Sequence, residues 1–200
     1  GEKLALISGI IHAQGRAAAR SGVGAVMGSK RLKLIAARGT KDFPVADPEG
    51  EREVRRKYLQ EINDGVGAAD FYRQTGTPGV LTWSIRAGDA PLKNWAAPAP
   101  DFPDPDPLEF EVLLEHREQR KSCHRCPIAC WGTSQLTYQE REFTAHQPEF
   151  QTSASFGALT MNNHYPSLIA SNDICNRYGL DTISAGACLA FAIECFEEGL

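Results

Sequence analysis

The chain has 200 residues, 42% of them hydrophobic and 23% charged, with six cysteines and a net charge of −4. That charge gives no basic field to attract a phosphate backbone, which excludes nucleic acid as a natural partner, and no apolar run approaches the ~20 residues of a membrane-spanning helix. The length and apolar content bury a real core in one or two domains.

In chain order, Ala-rich Ile10 to Arg20 predicts a helix. Arg20-Ser-Gly22-Val-Gly24-Ala-Val-Met-Gly28-Ser-Lys30 predicts a glycine turn bracketed by cations, and Leu32 to Arg38 an apolar strand closed by Gly39-Thr40. Two readings of the glycines are open: backbone N–H groups that approach a phosphate, or a tight connection that needs positive φ. The stretch is not the dinucleotide fingerprint, because the strand follows the glycines, and it lacks the GK[ST] of a P-loop. Asp47-Pro48 with Glu49, Glu51 and Glu53 opens a helix of about four turns, along which Val54, Tyr58, Leu59 and Ile62 recur at helical spacing. Six prolines between Ala87 and Leu108, with two tryptophans nearby, predict a long ordered surface loop. A short acidic helix from Leu108 to Arg120 follows. Thr137 to Gln147 is polar with no decisive period, and helices from Tyr165 to Tyr178 and Thr182 to Glu198 complete the chain.

Cys123-His-Arg-Cys126-Pro-Ile-Ala-Cys130 places three thiols within one short stretch. If Pro127 opens a helix, Cys126 and Cys130 fall one turn apart and Cys123 reaches over from the preceding loop. The spacing suits an iron–sulfur cube better than zinc, whose structural sites come as paired knuckles. A fourth ligand is then needed. Clustered cysteines in a cysteine-poor chain point to a reducing compartment, the cytoplasm. Asn176-Arg-Tyr-Gly179-Leu180-Asp181-Thr182 joins the last two helices. Gly179 serves as a left-handed cap and Asp181 or Thr182 as an N-cap, while Asn176 and Asp181 are also acceptors suited to a heterocycle's N–H groups. With no initiator Met and a last helix that stops at its Gly199 cap, the chain is expected to be an interior piece of a larger protein.

The order and wording of these pieces resemble the tungsten- or molybdenum-containing aldehyde ferredoxin oxidoreductases. The resemblance rests on Gly22-Val-Gly-Ala-Val-Met-Gly-Ser-Lys30 with Arg38-Gly-Thr40, Gly76-Thr-Pro-Gly79, the cysteine run, Pro148-Glu-Phe-Gln-Thr152 with Phe156-Gly157, and Gly179-Leu-Asp-Thr-Ile-Ser184. It implies an α+β multidomain enzyme fragment: residues 1–40 as the end of a β-rich N-terminal cofactor-binding domain, and 41–200 as a mainly helical domain. It also implies a tungsten (or molybdenum) bis-pyranopterin, with magnesium bridging its phosphates, and a [4Fe–4S] cluster on Cys123, Cys126 and Cys130. The fourth cluster thiolate is then expected beyond Leu200, leaving Cys175, Cys188 and Cys195 as core thiols. The family's D-x-x-G-L-D pterin motif falls on Asn176, Gly179, Leu180 and Asp181, departing at Asn176, while Arg20, Gly22 and Gly24 resemble the part that contacts cofactor phosphates. The family's Pro-Glu-[Tyr/Phe]-Glu-Thr segment supplies a carboxylate near the metal. Glu149 matches its first acid and Gln151 replaces its second, with His146 as a proton shuttle three residues earlier. The implied reaction oxidises a small-molecule aldehyde and hands electrons to ferredoxin or an iron–sulfur subunit in an oligomer. The alternatives are an ATP-independent benzoyl-CoA reductase subunit of the same family, and a stand-alone iron–sulfur or metal-binding module.

Overall fold

The computed structural model describes residues 1–12, 15–65 and 67–200. Where the Ala-rich composition predicts a helix, the chain forms an antiparallel hairpin, β1 (Ile10–His12) and β2 (Arg16–Ala18), with Ile10 opposite Ala18. Gly15 at φ 117° reverses the chain in a conformation that side chains disfavour, so local turn chemistry overrides alanine's helix propensity. The glycine stretch is likewise not a turn but α1 (Val23–Ser29), entered through Gly22 at φ 66°. A Cβ on Gly24 would stand 2.5 Å from the Gly9 carbonyl oxygen, so this glycine is needed for close backbone packing. Leu32 to Arg38 runs exposed and is not a strand, since no described strand lies alongside to complete a ladder.

Helix α2 (Pro48–Asn63) begins as its sequence predicts, with Pro48 in the first turn and Asp47 accepting from the Gly50 amide at 3.0 Å. Helices α3 (Ala69–Thr75) and α4 (Leu81–Arg86) flank a 3-10 turn over Thr77–Val80. The proline-rich loop is ordered because it contributes to the core: Ala90, Leu92, Phe102 and Leu108 are buried. The acidic helix is shorter than its sequence predicts, α5 (Phe110–Glu115), and the chain turns at His116 into a three-stranded antiparallel sheet of β3 (Arg117–Lys121), β4 (Trp131–Tyr138) and β5 (Arg141–His146). Gln139 and Glu140, both at positive φ, make the two-residue turn between β4 and β5. The cysteine motif is the connection between β3 and β4, closed by the Lys121–Trp131 pair.

Helix α6 (Phe150–Ser153) runs into a π-helical turn (Ala154–Ala158), then come α7 (Tyr165–Tyr178) and α8 (Thr182–Glu197). Leu168 and Ile169 of α7 are fully buried with Leu81, Ile85, Leu108 and Leu113, and α7 lies across β4 and β5. Helix α8 buries only Gly186, whose Cβ position lies 2.6 Å from Ser155, and turns most of its apolar side chains outward. Among the described residues no helix is long and apolar enough to cross a membrane. One contact decides where the site forms. Ser8 pairs with Leu180, the Gly9 amide donates to the Gly179 carbonyl, and the Asp181 amide donates to the Ile7 carbonyl, both at 2.8 Å. The start of the chain is thereby fastened to the turn between its last two helices.

Candidate active site

Between the hairpin, the end of β5 and the α7–α8 turn lies a cleft of 440 Å³. Both sequence-predicted catalytic residues line it. Glu149 sits at the N-terminus of α6 without spending its side chain on a cap; its Oε1 accepts from Arg16 Nη1 at 2.6 Å and its Oε2 from the Thr77 hydroxyl at 2.5 Å. The Phe150 amide in turn donates to Thr77 Oγ1 at 2.9 Å, so the carboxylate is aimed from two sides.

A lone polar-segment histidine is ordinarily a surface residue, yet His146 is 7% exposed. Its ring stacks on Trp131 at 4.8 Å with 17° between planes, and the Arg16 guanidinium lies 4.8 Å from the same indole. Burial holds the imidazole below its ordinary value of 6.5, opposed by the nearby Glu149 carboxylate and aided by Arg16. Its Nε2 is buried without a described partner, and so is Arg16 Nε. Asn172 donates to the His146 carbonyl at 2.7 Å, which fixes the backbone behind the ring.

The α7–α8 turn also lines the cleft. Gly179 is left-handed at φ 70°, as its capping role requires. Asp181, 1% exposed, accepts from the Ser184 amide at 2.9 Å and from the Ser184 hydroxyl, and Arg20 stands 3.8 Å away at the mouth. Asn176 and Leu180 also line the cleft; the Asn176 amide nitrogen donates to Asn172 Oδ1 at 3.4 Å. Gln151 lines it as well. Gly22 and Gly24 stand outside this cleft and pack against the backbone of residues 6–9.

The three thiols are less assembled. Cys123 is exposed on the cleft rim, and Cys126 and Cys130 are half-buried. The helix conditional on Pro127 is not formed: Ala129 is left-handed at φ 55°, which breaks the one-turn relation between Cys126 and Cys130. Among the described residues no three His, Cys, Asp or Glu side chains stand close enough to hold a metal ion. Burial and Glu149 push the Cys130 thiol up. By donor chemistry three soft, unpaired thiols on one short loop fit an iron–sulfur cluster, and the unpartnered, buried His146 Nε2 and Arg16 Nε fit a polar cofactor or substrate in the cleft. Of the remaining thiols, Cys175 is the core residue its pattern predicts, whereas Cys188 is exposed and Cys195 half-buried because α8 faces outward.

Sequence reasoning missed Arg16, Trp131 and Asn172. Thr77 lies in a motif, Gly76-Thr-Pro-Gly79, that carries no evident chemistry until the fold sets it beside Glu149.

A carboxylate, an imidazole, a thiol and an interhelical acceptor turn, brought together from both ends of the chain, line one cleft of an α+β fold. Residues 1–39 match the family described as "Aldehyde ferredoxin oxidoreductase, N-terminal domain", and residues 53–200 match its "domains 2 & 3". The chain belongs to the aldehyde ferredoxin oxidoreductase family. It is 34% identical over 201 residues to the tungsten-containing aldehyde ferredoxin oxidoreductase of Pyrococcus furiosus, covering all of this chain and 32% of that protein. The Thermococcus kodakarensis protein of the same name is 32% identical over 199 residues, with the same coverage. A P. furiosus aliphatic sulfonate oxidoreductase, WOR-like subunit, is 26% identical over 198 residues, covering 98% of this chain and 30% of its own length. The chain spans about a third of the length of the curated relatives it matches.

Proposed function

We propose that this chain is the part of a tungsten-dependent aldehyde oxidoreductase that grips the first pterin, carries three of four cluster ligands and holds the proton-handling groups. The single observation that supports this reading is the cleft itself, lined by Glu149, His146 and Cys123 together with Asn176, Leu180 and Asp181. Asn176, Leu180, Asp181 and Arg20 hold a pyranopterin carrying tungsten, or molybdenum, with magnesium at its phosphates. Cys123, Cys126 and Cys130 hold a [4Fe–4S] cluster whose fourth thiolate comes from elsewhere in the protein. When bound, the metal–pterin supplies two-electron oxidation of an aldehyde to a carboxylate, and the cluster supplies one-electron relay to ferredoxin or an iron–sulfur subunit.

The chain's own residues prepare that chemistry. Arg16 and Thr77 fix the Glu149 carboxylate while each of its oxygens keeps a lone pair, so it accepts a proton released into the cleft. His146, neutral through burial and unpartnered at Nε2, passes that proton on. Gly22 and Gly24 support Arg20 by packing α1 onto residues 6–9. Residues 1–40 close the N-terminal domain, residues 41–200 form the helical domain, and the whole protein works as an oligomer in the cytoplasm. No observation favours the ring-reducing alternative, and a stand-alone metal module leaves the cleft without a task.

The full-length protein, made anaerobically with tungstate, is expected to contain tungsten, iron and labile sulfide and to reduce viologen with aldehydes. Glu149→Gln is expected to keep the metals and lose at least about 100-fold in kcat. Zinc without sulfide or tungsten would sink the reading.

A further inference from the structure

We propose that Arg120 is the positioning residue of the cysteine loop, a guanidinium clamp that sets the spacing of Cys126 and Cys130. The proposal rests on the reading of Cys123, Cys126 and Cys130 as cluster ligands, and its observations are independent of the cleft. Residues 122–130 form the tip of the β3–β4 hairpin. The ladder fixes only their ends, through Lys121 opposite Trp131 and Arg120 opposite Gly132. Within the tip, the Cys126 amide donates to the Cys123 carbonyl at 3.0 Å. The stretch that carries Cys130 is held from outside. Arg120 Nε donates to the Ala129 carbonyl and Arg120 Nη2 to the Ile128 carbonyl, both at 2.9 Å.

Consecutive carbonyls meet one guanidinium edge here with Ala129 in the left-handed region at φ 55°. Residues with a Cβ keep that conformation only where surrounding contacts over-determine it, and the fork is such a contact. Arg125, at φ 57°, makes a second left-handed turn between Cys123 and Cys126. The cysteine spacing therefore follows from two unfavourable backbone turns, of which the one at Ala129 is held in place by Arg120. Lysine cannot substitute, because an ammonium is a point donor without the planar two-pronged edge. Arg120 itself is exposed, so its removal leaves the core intact.

Wild type, Arg120→Lys and Arg120→Gln full-length proteins, loaded anaerobically, provide the test. Their readouts are iron and sulfide content, the rate of iron release to a chelator, the EPR spectrum of the reduced cluster, and Tm. We expect unchanged Tm in both variants, iron release faster by about 10–100-fold, as for other residues that orient metal ligands, and a broadened EPR spectrum. Lysine should fail as glutamine does. Release rates and spectra equal to wild type in both variants would overturn the clamp while leaving the cluster reading intact. Rescue by lysine would overturn it too, because charge alone would then suffice. A wild type free of iron and sulfide would overturn both.

Discussion

The two halves of the site are built on different terms. The cleft wall is closely held by the protein: His146, Asn172 and Asp181 are all at least nine-tenths buried, and hydrogen bonds, a ring stack and a helix cap hold them in place, while His146 Nε2 is left without a described partner. The cysteine loop lies mostly open to solvent, and its anchors among the described residues include one internal turn bond and the Arg120 fork. Buried polar groups must find partners in the fold, whereas soft ligands on an exposed loop gain order when metal binds, since binding free energy there is also folding free energy. On the function proposed above, the proton-handling groups are rigid without cofactor and the relay site forms with its metal.

Substitutions that strike the wall test this contrast most strongly. Leu168→Ala removes a fully buried core side chain of α7, one turn before the cleft residue Asn172, and is expected to cost about 2–5 kcal/mol in urea unfolding. A cost below about 1 kcal/mol would mean that the wall is not as closely packed as its burial indicates. Next in size is Asp181→Ala, which strips the cap of α8 and leaves the Ser184 amide unpaired, at a cost of about 1–2 kcal/mol. Arg120→Gln on the loop should fall within about 0.5 kcal/mol of wild type. If the two cost the same, the division into a closely held wall and a dependent loop fails.

The sequence exposes the parts of the site that depend on local pattern. Asp47-Pro48, Gly179 and Asp181 are capping signals that act within a few residues, and each does in the fold what its position predicts. The cysteine spacing announces soft ligands but not their arrangement, because the left-handed backbone at Ala129 has no signature in an alanine. Helix propensity misleads at Ile10 to Arg20, where Gly15 and the β1–β2 pairing win, and hides that Arg16 points into a cleft completed more than a hundred residues later. Trp131 and His146 become partners only through the β4–β5 register, which no local pattern specifies. Polar Thr137 to Gln147 reads ambiguously for the same reason: Ala145 and His146 at its end are buried while most of it faces solvent.

A change of pH sharpens the contrast. Burial lowers the His146 pKa below 6.5, so the unfolded chain binds this proton more readily than the folded one. Stability from keeping the imidazole neutral is thus fully present above pH 6.5 and is lost as pH falls toward the lowered folded value, at no more than about 1.4 kcal/mol per pH unit. Glu149 opposes the shift, while Arg16 and Lys121 reinforce it. Glu2, held below 4.5 by Lys33, titrates in a lower window and does not confuse the readout. Urea unfolding at pH 7 and pH 5.5 should show the loss in wild type and a flatter profile in His146→Gln, which keeps a polar, uncharged side chain against Trp131. Equal slopes in the two proteins would mean that His146 is hydrated in solution, and that the wall is open to water on the side where it stacks.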